Sequence, residues 1–154
     1  MPQYICPSPI GPLSLVEENG ALVAVRWNVD LPRDAVPLAL PATPLLRQAA
    51  AELAAYFAGA LREFTVPLAP KGTAFQQKVW AALREIPYGE TRSYKEIAAI
   101  VGNEKACRAV GMANNRNPLP IFIPCHRVVG ANGKLVGYAG GLDVKTFLLE
   151  LEKE

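Results

Sequence analysis

The stretch that decides the fold is residues 73–113, which read TAFQQKVWAALREIPYGETRSYKEIAAIVGNEKACRAVGMA. Thr73 is followed three residues later by Gln76, which is the pattern of a capping box at the start of a helix. Apolar side chains then recur at helical spacing and predict one buried helix face; they are Phe75, Val79, Leu83 and Ile86. The sequence Pro-Tyr-Gly at 87–89 is expected to end this helix.

A second capping box, at Ser93 and Glu96, opens a helix that ends at Gly102. We expect Asn103 to cap a third helix that runs to about Ala113. Two short helices joined by a glycine-centred turn are typical of a helix-turn-helix. Most short helix pairs are only packing units, so this pattern by itself is a weak indication of DNA binding.

The charge of the chain is unevenly distributed. The net charge is +2, with four Lys/Arg against six Asp/Glu in residues 1–70 and twelve against eight in residues 71–154. Residues 91–134 carry seven basic and two acidic residues, and Lys105 and Arg108 lie on the second helix of the predicted pair. Such a region suits a polyanion bound through its phosphates, although a solvated basic face without a ligand explains a patch of this size equally well.

The length and composition allow one core or two small ones. The chain has 154 residues and 51% apolar content. Residues 67–72 contain two prolines and a glycine and are the predicted linker. We expect a small N-terminal α/β lobe in residues 1–70 and a mainly helical domain in residues 71–154, with a final helix from about Asp143, which makes an α+β protein.

The N-terminal lobe has a clear hairpin pattern. Apolar runs at residues 13–16 and 22–27 flank an Asn-Gly pair, which favours a tight β-hairpin. An Ala/Leu-rich helix is expected to end at Gly59, and residues 64–66 are a candidate for one more strand. Nothing in this lobe indicates chemistry.

The cysteines form neither a disulfide framework nor a zinc motif. Cys6, Cys107 and Cys125 are odd in number and widely spaced, and the chain has one histidine. We therefore predict no metal and no cofactor. The sequence shows neither a signal peptide nor an apolar run of the ~20 residues that span a bilayer. We expect a soluble cytoplasmic protein, associated with the nucleoid if the source is prokaryotic, with no membrane partner.

Cys125 is the candidate nucleophile, in the run IPCHRV at residues 123–128 beside the only histidine, His126. Pro124 favours an extended residue before it and cannot donate a ladder hydrogen bond, so we expect the thiol to be exposed at a strand end or turn. Adjacent side chains of an extended segment point apart, so a turn or a bridging water must connect sulfur and ring. The alternative is a buried inert cysteine. A carboxylate should fix the tautomer of the ring; the candidates are Glu152, Glu150 and Asp143.

Further motifs surround this run in a specific order. They are Tyr-Gly-Glu at 88–90, Ser-Tyr at 93–94, Arg-Ala-Val-Gly at 108–111, Arg-Asn-Pro at 116–118 and Gly-Tyr-Ala-Gly-Gly-Leu at 137–142. Together with the run at 123–128, they closely resemble the O6-alkylguanine-DNA alkyltransferases. The resemblance covers roughly residues 73–152, and the N-terminal lobe agrees in general character.

The resemblance implies an irreversible, single-turnover reaction. Cys125 would accept the alkyl group of O6-alkylguanine as a stable thioether, so that each molecule acts once. His126 would be the base, reaching the sulfur through water and polarised by Glu152. Tyr94 would lie beside the flipped nucleotide and donate toward the guanine ring.

The resemblance also implies how the lesion is held. Arg108 would enter the duplex and fill the space left by the extruded base, which offsets part of the cost of flipping. Asn117 would tie the helix-turn-helix to the active-site loop. Tyr138, Ala139 and Gly140 would wall the guanine pocket, while Arg127 is expected to be a structural or interlobe contact.

The family fold implied is a ribonuclease-H-like N-terminal lobe and a helical lobe with a winged-helix-like helix-turn-helix and the active-site loop. The expected partner is double-stranded DNA containing O6-alkylguanine, with O4-alkylthymine as a second candidate lesion, bound by a monomer. Some relatives carry an N-terminal zinc site, which one cysteine and no histidine in residues 1–70 do not support. Cys125 also argues against the branch that has tryptophan there and only binds lesions.

Two other functions compete with alkyl transfer. A non-catalytic lesion sensor or DNA-binding regulator would use the same helix-turn-helix, and would need Arg108 but not Cys125. A cysteine hydrolase or acyltransferase would turn over its substrate and would not need the basic helix pair.

Overall fold

The computed structural model describes residues 2–27, 41, 43–130, 133, 138 and 141–153. The chain forms two compact units, Met1–Pro70 and Lys71–Glu154.

The N-terminal unit contains an antiparallel sheet of three strands in the order β1 (Gln3–Cys6), β2 (Leu13–Glu18) and β3 (Ala21–Arg26). The predicted hairpin is confirmed. Its turn residues, Asn19 and Gly20, have φ values of 53° and 77°, the left-handed conformation that a two-residue hairpin turn requires.

One helix, α1 (Pro44–Phe57), packs against this sheet. The side chain of Thr43 caps it by accepting a hydrogen bond from the Leu46 amide, and the chain leaves it at Gly59, where φ is 78°. Its buried face and the inner face of the sheet form the core of this unit; the residues are Leu13, Leu15, Leu22, Leu46, Ala49, Leu53 and Tyr56.

The extra strand predicted at residues 64–66 is wrong. The main chain pairs with β3 later, where Leu22 donates to Pro67 O and accepts from the Ala69 amide, both at 2.9 Å. The Glu52 carboxylate accepts from the amides of Thr65 and Val66, so these amides are not available to a strand ladder. Part of the segment predicted as linker therefore pairs with the N-terminal sheet.

The C-terminal unit begins with α2 (Ala74–Arg84) and α3 (Tyr94–Ile100). Both predicted capping boxes are confirmed, because Thr73 with Gln76 and Ser93 with Glu96 form reciprocal hydrogen bonds. The third helix, α4 (Cys107–Asn115), begins later than predicted. Asn103 accepts instead from the Lys105 amide and caps a turn between α3 and α4.

This unit also contains the short parallel strands β4 (Arg92–Ser93) and β5 (Val128–Val129) and the helix α5 (Leu142–Leu151). The parallel pairing brings the start of α3 next to the end of the IPCHRV run. Trp80 fastens α2 to α4 through a buried hydrogen bond of 2.9 Å from its Nε1 to Ala113 O. Within the described part of the chain, no helix is long and apolar enough to cross a bilayer.

Candidate active site

The segment that carries the candidate nucleophile is one turn of 3₁₀-helix, Cys125–Arg127, which continues directly into β5. Cys125 thus lies in a turn at the start of a strand, which agrees with the strand end or turn predicted from Pro124. Two asparagines hold its main chain. Asn117 Nδ2 donates to Ile123 O at 2.9 Å, and Asn114 Nδ2 donates to Cys125 O at 3.3 Å. The turn is therefore fixed by side chains from α4 and from the loop that follows it.

The approach to this turn contains backbone strain. Ile121 has a φ of 76°, in the left-handed region that β-branched residues avoid. Such a conformation costs about 1–3 kcal/mol and persists only where the surroundings impose it. Here Ile121 is buried between Leu119 and Ile123, both fully buried. The loop before Cys125 is thus held in a shape that it would not adopt alone.

The thiol of Cys125 is buried, with only 3% of the residue exposed, so the prediction of an exposed nucleophile is wrong. Burial raises the pKa of the thiol above its ordinary value. Hydrogen bonding with Asn117 and Tyr138 and the charge of Lys145 offset only part of this rise. The sulfur is therefore surrounded by polar groups rather than by hydrocarbon alone, and it needs a base because it is protonated at neutral pH.

His126 and Glu152 form a buried pair in which His126 Nε2 lies 2.7 Å from Glu152 Oε2. Of the three carboxylates that the sequence offers, Glu152 is the one bound to the imidazole. Glu150 is exposed and pairs with Lys153, and Asp143 lies in the first turn of α5.

The second ring nitrogen of His126 is available. Nδ1 is buried and has no hydrogen-bond partner among the residues that the structure describes. When Nε2 donates to Glu152, Nδ1 carries the lone pair. Burial lowers the pKa of His126, and this effect outweighs the stabilisation of the charged ring by Glu152. A neutral imidazole with an available lone pair is a competent base near neutral pH.

Arg127 shares the same carboxylate. Its Nε lies 2.8 Å from Glu152 Oε1 and its Nη2 lies 3.0 Å from Glu152 Oε2. Nη1 donates to Ile86 O at 2.7 Å, and the guanidinium lies 5.7 Å from the centre of the Tyr88 ring. The predicted structural role of Arg127 therefore includes orienting Glu152, the carboxylate that binds His126. The sequence around Arg127 does not indicate this contact.

Tyr94 is the first residue of α3 and is partly exposed. Burial and the nearby Cys125 both raise the pKa of its hydroxyl, so the two groups lie within electrostatic reach. Tyr138 is 9% exposed, and its side chain lowers the pKa of the Cys125 thiol, so the two groups lie near each other. The predicted wall residues Ala139 and Gly140 lie outside the described residues.

Arg108 is placed apart from the buried groups. It lies in the first turn of α4 with its side chain exposed. The structure therefore brings together Cys125, His126 and Glu152 with Asn117, Tyr94 and Tyr138, and leaves Arg108 on the surface of the helix-turn-helix.

Two buried polar residues near Cys125, Asn114 and Lys145, were not predicted from the sequence. Lys145 is fully buried and its Nζ donates to Val128 O at 2.6 Å. A signal existed for each. Lys145 precedes Leu148 by three positions on the apolar face of α5, and Asn114 follows Val110 by four on the apolar face of α4. No cluster of His, Cys, Asp and Glu suited to a metal ion occurs in the described ranges.

Comparison with known proteins gives consistent matches along the whole chain. Residues 74–154 match the family described as 6-O-methylguanine DNA methyltransferase, DNA binding domain, and residues 3–70 match its ribonuclease-like domain. A methylated-DNA–protein-cysteine methyltransferase of Methanosarcina acetivorans is 56% identical over 146 residues, covering 94% of each chain. A constitutive one of Bacillus subtilis is 49% identical over 151 residues, covering 95% of this chain and 92% of the relative.

A solved structure agrees as well. Mycobacterium tuberculosis OGT in complex with DNA superposes with a TM-score of 0.87 at 50% identity, over 98% of this chain and 92% of that one. The predicted α+β fold, with its ribonuclease-like and helical parts, is confirmed by these matches.

Proposed function

The chain belongs to the 6-O-methylguanine DNA methyltransferase family, and we infer from this membership that it is a DNA-repair protein that moves an alkyl group from guanine O6 to its own Cys125. The observation that supports Cys125 as the acceptor is its buried thiol beside a neutral imidazole. That imidazole keeps one nitrogen available and has the other fixed by a carboxylate.

The proposed chemistry is a displacement at the alkyl carbon. His126 Nδ1 takes the thiol proton through a water molecule, and Glu152 stabilises the imidazolium that forms. The thiolate then forms a bond to the alkyl carbon while the bond from that carbon to O6 breaks. The leaving guanine keeps the electron pair, its charge is reduced by a hydrogen bond from the Tyr94 hydroxyl, and it takes up the proton that His126 accepted from the thiol. A thioether is stable, so each molecule reacts once.

The proposed partner is duplex DNA that carries O6-alkylguanine, with O4-alkylthymine as a second candidate, bound by a monomer in the cytoplasm. The basic helix-turn-helix of α3 and α4 faces the phosphates in this proposal. Asn117 holds the acceptor loop, and Tyr138 with Ala139 and Gly140 forms the wall of the base pocket. Because the thiol is buried, the incoming base has to displace part of its cover, and Tyr138, which lies near the sulfur, is a candidate for this cover.

The direct test is to mix the protein with an excess of duplex containing O6-methylguanine and to measure the intact mass. We expect one added methyl group per protein, located on the peptide that contains Cys125, and guanine restored in the DNA. An unmodified protein, or more lesions repaired than protein molecules present, would refute the proposal.

We expect Arg108→Ala to slow methyl transfer from duplex DNA by about tenfold or more, while transfer from a single-stranded lesion changes little. Flipping a base out of a duplex costs a few kcal/mol, and a side chain that fills the gap offsets part of this cost. The measurement is the single-turnover rate on both substrates at saturating DNA. Arg108→Lys is the control for charge alone. If Arg108 is only a phosphate contact, both substrates are affected alike and the salt dependence of binding decreases instead.

As the pH is lowered, we expect the rate of methyl transfer to begin to fall only below the ordinary histidine pKa of about 6.5. Because burial lowers the pKa of His126, the ring stays neutral at that pH and gains its proton at a lower one. The unfolded chain binds the proton first, so the free energy of unfolding also decreases as the pH falls from about 6.5 and levels off below the folded pKa. Rates and urea titrations across this range test both effects, and an acid limb centred above 6.5 contradicts the assignment.

A further inference from the structure

Asn114 lies directly behind the acceptor cysteine, and the chemistry described above assigns it no role. It belongs to α4 and is 1% exposed. Its Nδ2 donates to the main-chain carbonyl of Cys125 at 3.3 Å. This bond joins the second helix of the helix-turn-helix to the residue that carries the nucleophile, and it differs from the Asn117 bond, which holds Ile123 at the entrance of the turn.

The same side chain also interacts with Tyr94. Burial raises the pKa of the Tyr94 hydroxyl, and the Asn114 side chain lowers it again in part, so the two side chains lie within electrostatic reach of each other. One buried amide therefore hydrogen-bonds to one side of the proposed reaction and lies near the other. On one side is the backbone of the attacking residue, and on the other is the hydroxyl that assists the leaving base.

We propose that Asn114 is a positioning residue that sets the placement of the Cys125 sulfur relative to the Tyr94 hydroxyl. The inference rests on the proposed function, in which the sulfur attacks the alkyl carbon while the hydroxyl donates to the departing guanine. A displacement needs the nucleophile and the leaving group aligned on opposite sides of one carbon, and a misplacement of about 1 Å can cost about a hundredfold in rate. Without Asn114, the Cys125 carbonyl loses a buried donor and the Tyr94 hydroxyl loses a nearby polar group.

Two substitutions separate this role from simple packing. Asn114→Leu keeps a similar volume and removes both the hydrogen bond to Cys125 O and the amide near Tyr94, whereas Asn114→Asp keeps the shape and, as a carboxylate, has no donor for Cys125 O. The neighbouring Asn115 is exposed on the same helix, so Asn115→Leu is the matched control. For each variant we would measure the rate of methyl transfer at saturating duplex, the Kd for lesion-free duplex, the thermal midpoint, and the pKa of Tyr94 by NMR of ¹³C-labelled tyrosine.

We expect both Asn114 variants to transfer methyl about tenfold to a hundredfold more slowly, with an unchanged Kd. Asn114→Leu should also raise the pKa of Tyr94, and the Asn115 control should change neither quantity. A normal transfer rate in a folded Asn114 variant, or a loss explained entirely by weaker DNA binding, overturns the inference. If the leucine variant does not fold, the aspartate variant decides alone.

The wild-type protein in the same experiment keeps the two proposals distinct. If wild-type protein gains no methyl group, the proposed function fails. If wild-type protein reacts and the Asn114 variants react equally fast, only the positioning role fails.

Discussion

Replacing Cys125 with serine abolishes methyl uptake from lesion-bearing duplex and leaves binding to that duplex intact. The substitution removes one polarisable sulfur and retains the size of the side chain, so the loop held by Asn114 and Asn117 keeps its contacts. A hydroxyl at this position is a far weaker nucleophile, and loss of an enzyme's nucleophile costs at least about 10³-fold in rate. We expect the single-turnover rate to fall by at least that factor.

The other two free cysteines supply the controls. Cys107→Ser and Cys6→Ser alter a partly exposed and a buried thiol outside the proposed site, and both variants should take up one methyl group like wild type. Intact mass and peptide mapping measure uptake, and a gel-shift assay measures binding. Methyl found on Cys107, or transfer by Cys125→Ser at a rate near that of wild type, contradicts the acceptor assignment. A protein that acts only as a lesion sensor would retain its full biological effect with Cys125→Ser and lose it with Arg108→Ala.

Replacing Glu152 with glutamine is expected to lower the free energy of unfolding by about 3–5 kcal/mol, because it leaves a buried arginine without its counter-charge. Glu152 is 2% exposed and binds both Arg127 and His126, with distances of 2.7 to 3.0 Å. The amide keeps the shape of the carboxylate but supplies no charge. Methyl transfer should slow as well, because the imidazolium formed from His126 loses its stabilising anion.

Glu150→Gln is the matched control, two residues earlier on the same helix. Its carboxylate is exposed and pairs with Lys153 at 3.0 Å, an ion pair of the surface type that contributes about 0–1 kcal/mol. Urea unfolding of both variants gives the comparison. A double variant, Arg127→Met with Glu152→Gln, should lose less stability than the sum of its single changes, because no unpaired cation remains. Equal stability losses in Glu150→Gln and Glu152→Gln would contradict this account.

Local features of the fold were predictable from the sequence because they depend on few neighbouring residues. The Asn19-Gly20 turn and the two capping boxes follow from short patterns, and the structure confirms them. Where a second local interaction competes, the pattern misleads. Asn103 caps a turn through the Lys105 amide and not the helix that starts at Cys107.

Contacts between distant parts of the chain were harder to predict. Glu52 binds the amides of Thr65 and Val66 and so prevents the strand expected there, a contact that no local pattern indicates. Arg127 and Glu152 are likewise 25 residues apart, with the whole of α5 between them in the sequence. The exposure expected for Cys125 rested on the chain direction at Pro124, which carries no information about the groups that pack over the sulfur.

A protein that can react only once is lost to repair if an electrophile or oxidant modifies its acceptor cysteine before the protein meets a lesion. Peroxides and small alkylating metabolites attack accessible thiolates fastest, and the sulfur of Cys125 is neither accessible nor ionised at rest. Cys107, which is partly accessible, is the thiol that such compounds should reach first. If Cys125 is the acceptor, as proposed, its burial keeps each molecule able to repair one lesion, because only a group that gains access to the buried sulfur can react with it.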